Sequence, residues 1–207
     1  KPRVLTEELP VKIVDIDERS LAEYGQWPWP RTLLAQLTDK LTDKGAAVVA
    51  FDAVFAEADR LSVAAVVRDL PAGDNSRELQ RLTADFPDND EVFAEALGRA
   101  TAVVGFGFDS KGSDRAPRRP YGIAHNTGEK SAESVPELIR EFIPQQAGAV
   151  KTLSELEAVS KGNGSVTTEV ETAIVRRVPM LFRLAGQRDE DLFAALSIEA
   201  VRVAQDA

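Results

Sequence analysis

The chain has 207 residues, enough for one well-filled domain, and its apolar and charged fractions of 43% and 29% are those of a globular protein rather than a disordered or fibrous one. A formal net charge of -9 disfavours phosphate backbones, whose binding relies on Lys and Arg displacing counterions, so nucleic acid is not an expected partner. No stretch approaches the roughly eighteen consecutive apolar residues of a membrane span, and with no cysteine the chain has neither a disulfide framework nor a thiolate metal site or thiol nucleophile. It begins Lys1-Pro2-Arg3 without a signal-peptide pattern, so it is expected to be an excised or processed piece of a longer protein.

Val11 to Ile16 is mostly apolar without clean alternation, as in a strand covered on both faces, and it runs into the carboxylates of Asp15 and Asp17. Glu18 to Tyr24 can form about two helical turns closed by Gly25. After the turn Gly25-Gln-Trp-Pro-Trp-Pro-Arg31, the spacing of Leu33, Leu34, Leu37 and Leu41 predicts a helix from Pro30 to Lys44 ending at Gly45. Ala46 to Phe51 reads as a second strand, also ending in a carboxylate, Asp52. Strand, helix, strand is a right-handed βαβ unit, which places both acidic strand ends on one side of a parallel sheet. Ligands in such sheets gather outside the carboxyl ends of the strands.

Residues 59–89 read as a helical insertion, with Val63, Val66, Val67 and Leu70 on one helix, Leu79, Leu82 and Phe86 on another, and Pro71 to Asn75 as the turn between them. Asp90 can cap the helix that carries Val92, Phe93, Ala96 and Leu97, and Thr101 to Phe108 is the third strand. Residues 109–134 form a long flexible surface loop, being polar, basic and aperiodic. Short helices follow at Val135 to Ile143 and Leu153 to Ser160. Ser165 to Val170 and Ile174 to Leu184 form a hairpin, and Asp191 opens a helix through about Gln205. The expected architecture is one α/β domain over residues 1–207, a mainly parallel central sheet flanked by helices with a C-terminal β-hairpin.

The stretches Asp15-Ile-Asp17 with Ser20-Leu21, Gly25-Gln-Trp-Pro-Trp-Pro-Arg31, Ala50-Phe-Asp-Ala-Val-Phe55 with Glu57 and Asp59, and Val175-Arg-Arg-Val-Pro-Met-Leu181 resemble, in order, the CHASE2 domains. Two positions depart from the family pattern: Ala58 stands where proline is usual, and Thr172-Ala173 where Asp-Gly is usual. The resemblance implies an extracytoplasmic, periplasmic sensory domain of an inner-membrane bacterial receptor. Flanking transmembrane helices absent from this chain would anchor it, and adenylate or guanylate cyclases, histidine kinases and serine/threonine kinases are among the outputs it would control. Homodimerisation is expected of such receptors.

The candidate ligand-binding residues are Asp15, Asp17, Trp27, Trp29, Arg31, Asp52, Glu57 and Asp59. The carboxylates can clamp a cationic or hydroxyl-rich ligand. Oxygen ligands also suit Ca²⁺ or Mg²⁺, but no complete cation-loop spacing is present, so neither metal nor cofactor is assigned. The competing reading is structural: Asp17 capping the first helix and Asp52 accepting backbone N–H groups in its loop. Trp27 and Trp29, stiffened by prolines, can stack on a ligand, or one can plug the sheet edge. Arg31 suits bidentate pairing with a strand-end acid. Asp15-Ile16-Asp17 after a strand is similar to a phosphatase nucleophile pair, but Glu18-Arg19 lack the small turn residues expected next. His125, the lone histidine, lies in the polar loop, and no catalytic set is complete. Three readings result: a non-enzymatic sensor of a small molecule or a periplasmic protein, a hydrolase using Asp15 and Asp17, and a periplasmic protein-interaction module.

Overall fold

The computed structural model describes residues 10–110, 116–119, 135–167 and 178–205. Helix α1 (Glu18–Tyr24) leads through the aromatic turn to α2 (Arg31–Asp43), and strand β1 (Val49–Ala50) follows. The insertion forms α3 (Val63–Arg68) and α4 (Asp74–Leu82), after which come α5 (Asn89–Arg99) and the longest strand, β2 (Ala102–Asp109). The C-terminal part contributes α6 (Val135–Phe142), β3 (Gln145–Gln146), β4 (Gly148–Val150), α7 (Ser154–Val159), β5 (Gly162–Ser165), β6 (Leu181–Leu184), β7 (Phe193–Ala194) and α8 (Leu196–Ala204).

The class is α/β with mixed sheets. β2 organises the larger sheet: β1 and β5 run parallel to its first part, and β4 pairs antiparallel with Gly107 to Asp109. In the smaller sheet β6 is parallel to β3 and antiparallel to β7, and a bridge from Ser165 to Ala195 connects the end of β5 to the segment after β7. β2 feeds two apolar clusters. Ala102 and Val104 join Trp29, Leu34, Phe55, Phe93, Leu97 and Leu156, whereas Phe106 joins Ala149, Phe182, Leu184 and Phe193. α5 packs on α2 and α7, and α8 lies against β5 and β2. Close approach of α8 requires Gly164, where a Cβ would sit 2.5 Å from Leu196 Cα.

Several expectations change. Val11 to Ile16 does not form a strand: Val11, Ile13 and Val14 are 74%, 91% and 54% exposed, and within the run only Ile16 packs on the first cluster. The second strand is shorter than its apolar run, although the Phe51 N–H still reaches the Val103 carbonyl at 2.9 Å. Asp88, not Asp90, caps α5, because its Oδ1 accepts the Asp90 N–H. The last helix starts at Leu196. The preceding Leu192, Phe193 and Ala194 are buried in and beside β7, a pair of apolar neighbours that fits a short strand as well as a helix turn. The first insertion helix forms where expected, but the second starts at Asp74, inside the expected turn, and ends at Leu82, which leaves Phe86 beyond it, and Leu79, Leu82 and Phe86 are all exposed. The turn of the expected Ser165 to Leu184 hairpin, including Thr172-Ala173 and the Val175 to Arg177 match, lies outside the described residues, as do His125 and most of the 109–134 loop.

Candidate functional site

Asp17 begins the site from the sequence side. Its Oδ1 accepts the Ser20 hydroxyl at 2.7 Å and the Ser20 N–H at 2.9 Å, capping α1. Those two bonds, the hydroxyl first, hold its pKa below the ordinary aspartate value. Gly25, at φ 94°, ends the helix in the left-handed region that suits glycine, and its carbonyl accepts the Trp29 Nε1–H at 2.7 Å. That bond turns Trp29 into the first apolar cluster, where it is 6% exposed and meets Tyr24 edge-on at 5.7 Å. Trp27, two residues earlier, leans on Trp29 at 6.2 Å but keeps 44% of its surface open.

Pro30 stands at the N-cap of α2 without a side chain able to accept the first helical N–H groups. A carboxylate from elsewhere does so: the Arg31 N–H donates to Asp59 Oδ2 at 2.7 Å. Asp59 also accepts the Leu61 N–H at 2.9 Å, folding its own loop, and the Asn89 side-chain amide at 2.8 Å. The Asp59 N–H in turn donates to Asp90 Oδ2 at 2.7 Å, and Asp90 Oδ1 accepts from Arg31 Nε at 3.2 Å. Arg31, Asp59 and Asp90 thus form a closed ring of hydrogen bonds that fastens α2, the loop after β1 and α5 together. All three are buried. The Arg31 guanidinium completes its seat over the Phe55 ring, 4.4 Å from the centroid, with Nη2 donating to the Glu57 carbonyl at 3.3 Å.

The two carboxyls of the ring are tuned oppositely. Burial pushes Asp59 up, but the N–H groups of Arg31 and Leu61, the Asn89 amide and the Arg31 charge outweigh it and leave its pKa below the ordinary value. Burial is also the main influence on Asp90, and there it prevails over the Asp59 N–H and the Arg31 charge, aided by the nearby Asp88, so its pKa is raised.

The loop itself is fixed from below. The Phe55 N–H donates to Thr152 Oγ1 at 3.1 Å, the Thr152 hydroxyl donates to the Gly105 carbonyl at 2.8 Å, and the Leu153 N–H donates to the Phe55 carbonyl at 2.8 Å. The crossing over β2 is tight enough that a Cβ on Gly105 would lie 2.5 Å from the Ala53 carbonyl oxygen. Between this loop and the aromatic turn is a cleft of about 310 Å³, lined by residues 27–29, Arg31 and residues 54–61. It lies just beyond the carboxyl end of β1, where a parallel pair of strands presents its ligand-facing edge.

Of the expected site residues, Trp27, Trp29, Arg31, Glu57 and Asp59 line the cleft, while Asp15, Asp17 and Asp52 do not. These three are exposed, and Asp15 and Asp17 precede a helix without ending a strand, which removes the geometric premise of a phosphatase pair. The side-chain carboxylate partner of Arg31 is not one of the strand-end acids but Asp90, read from the sequence only as a helix cap. Among the described residues no group of three or more His, Asp or Glu is placed to hold a metal ion. Nor is any described helix long and apolar enough to cross a membrane.

Comparison with known proteins gives one kind of match. The family model described as CHASE2 domain matches residues 2–207. No curated protein and no solved structure matches.

Proposed function

The chain belongs to the CHASE2 domain family, a family of sensory domains of bacterial receptors, and on that premise we propose that it senses a small molecule bound in the cleft between Trp27 and Leu61. In this reading it is the extracytoplasmic domain of a transmembrane receptor that works as a homodimer. The receptor's cytoplasmic nucleotide cyclase or kinase, on another part of the parent protein, performs the chemistry, and this domain performs none. The observation that carries the reading is a convergence. The two stretches richest in the family likeness, Gly25 to Arg31 and Ala50 to Asp59, supply both walls of the cleft.

The cleft is also mechanically suited to report occupancy. A ligand shifts a receptor only by favouring one arrangement over another. A molecule held between Trp27 and Leu61 touches the α1–α2 turn and the loop after β1 at once. Those two segments are coupled through Asp59 to both α2 and α5.

Native mass spectrometry of the gently purified chain tests this. The expected result is an excess mass lost on denaturation and absent from Trp27→Ala. An unchanged excess in that variant defeats the cleft as the sensory site, and no excess under any purification shifts the reading toward recognition of a protein partner. The exposed Leu79, Leu82 and Phe86 near and beyond the end of α4 support a second reading, in which the domain recognises a periplasmic protein through that apolar surface.

A further inference from the structure

The charged groups of the cleft specify its ligand more closely than its shape does. Two cationic residues, Arg31 and Arg60, and two acidic ones, Glu57 and Asp59, line it, so its walls favour neither a net anion nor a net cation. They are not equally available. Asp59 is occupied by the donors of Arg31, Leu61 and Asn89. Glu57 uses only its backbone carbonyl, and among the described residues neither its carboxylate nor the Arg60 guanidinium has an ion-pair partner within the protein.

Arg31 adds a third open group. Its Nε and Nη2 are committed to Asp90 and Glu57, but its Nη1 donates to no described residue. It is also not among the sealed, unsatisfied polar atoms of the fold, so it keeps some solvent access although the side chain is 90% buried, and Arg31 is part of the cleft lining. The remaining walls are apolar: the open Trp27 ring, Val54, Ala56 and Leu61. At about 310 Å³ the space is at the small end for ligand sites.

We infer that the cleft takes a zwitterion of the α-amino-acid class, with its carboxylate on Arg31 Nη1 and Arg60, its ammonium on Glu57 and an apolar side chain against Trp27 and Leu61. A buried guanidinium with one unused nitrogen is a fixed, pre-oriented carboxylate donor. A ligand carrying only that carboxylate leaves Glu57 uncompensated. One carrying only an amine leaves Arg60 and the Arg31 Nη1 without an acceptor.

This inference rests on the cleft being the sensory site, and its test separates the two. The 207-residue chain is titrated calorimetrically with each standard L-α-amino acid, with N-acetyl and decarboxylated forms of those that bind, and with neutral sugars. Expected is binding of one or more apolar amino acids, weakened roughly tenfold or more by removing either charge from the ligand, and similarly by Glu57→Gln or Arg60→Gln. Both side chains are exposed, so these variants retain the fold. If no amino acid binds, or the acetylated or decarboxylated form binds as well as its parent, the inference is overturned. A sugar or other uncharged ligand that is lost in Trp27→Ala would overturn it while leaving the cleft as the sensory site. Amino-acid binding that persists in Trp27→Ala, Glu57→Gln and Arg60→Gln would overturn both.

Discussion

At the scale of single residues, the ring of Arg31, Asp59 and Asp90 makes stability depend on acid in two opposing ways. Asp59 has a folded pKa below its unfolded one, so it contributes stability above the unfolded aspartate range, about pH 4, and loses it as pH falls through the lower, folded value. Asp90 has a raised folded pKa. Its contribution is fully present below the unfolded value and is lost as pH rises through the folded one. On acidification the two therefore partly cancel. Asp17, Asp189 and Asp191, held low by Ser20, Arg140 and Arg188 respectively, add acid loss of the same sign as Asp59. Asp59→Asn will lower the urea midpoint at pH 7 and flatten the fall between pH 5 and pH 3, whereas Asp90→Asn will steepen it; urea midpoints across that range decide, and parallel curves for both variants would refute the assignment. Arg31→Met leaves Asp90 buried without its cation, a change that costs about 3–5 kcal/mol in buried pairs of this kind. Little of this ring was legible beforehand. Arg31 and Asp59 were singled out for their chemistry, but 59 positions separate Arg31 from Asp90 in the chain, and no local pattern marks that pairing.

At the scale of elements, periodicity identified helices and failed on short apolar runs. Leu33, Leu34, Leu37 and Leu41 have a spacing that predicts a helix, and α2 forms as expected, although of the four only Leu34 is fully buried, beside Arg31, Ala35 and Thr38. A strand needs a partner, and the partner is not written locally. Val11 to Ile16 and Leu192 to Ala194 are both short apolar runs. The first lies largely on the surface and forms no strand, while the second, expected to be helical, is buried around a strand beside β6. The exposure of Ile13 makes this difference measurable. Ile13→Lys will change unfolding free energy by no more than about 0.5 kcal/mol, the usual range for substitutions on an open surface. A loss of about 2 kcal/mol or more would mean that the run is held in a covered strand after all, as burying an unpaired lysine there requires. The aromatic turn shows the other side of legibility. Trp-Pro-Trp-Pro announced a stiff structure, but no local pattern told which ring is buried; the bond from Trp29 Nε1 to the Gly25 carbonyl goes with the buried ring, while Trp27 stays half open.

At the scale of the whole molecule, the issue is whether two apolar clusters make one cooperative unit. Trp29 and its neighbours form the first cluster and Phe182 and its neighbours the second, and each has a sheet close to it. Three features bind them. β2 passes through both clusters; Thr152, adjoining the Phe106 end of the fold through β4, holds the cleft loop at Phe55; and α8 seats on Gly164 of β5, which pairs along β2. Undoing either cluster therefore strips β2 of pairing or cover needed by the other. The chain's only tryptophans, Trp27 and Trp29, both lie at the first cluster, so their fluorescence reports it alone, whereas far-ultraviolet dichroism reports every helix and strand. The expected outcome is coincident urea transitions by the two signals, the mark of a single cooperative domain. A dichroism transition that begins while the tryptophan signal is unchanged would show the C-terminal cluster melting independently. In that event a ligand at the Trp27 cleft would stabilise only the later transition, the one the tryptophans report, since binding raises the stability of the unit that holds the site. With one cooperative unit, occupancy of the cleft instead stabilises β5 and α8 together with the walls that touch the ligand. That linkage is the physical route by which the cleft beyond β1 can influence α8.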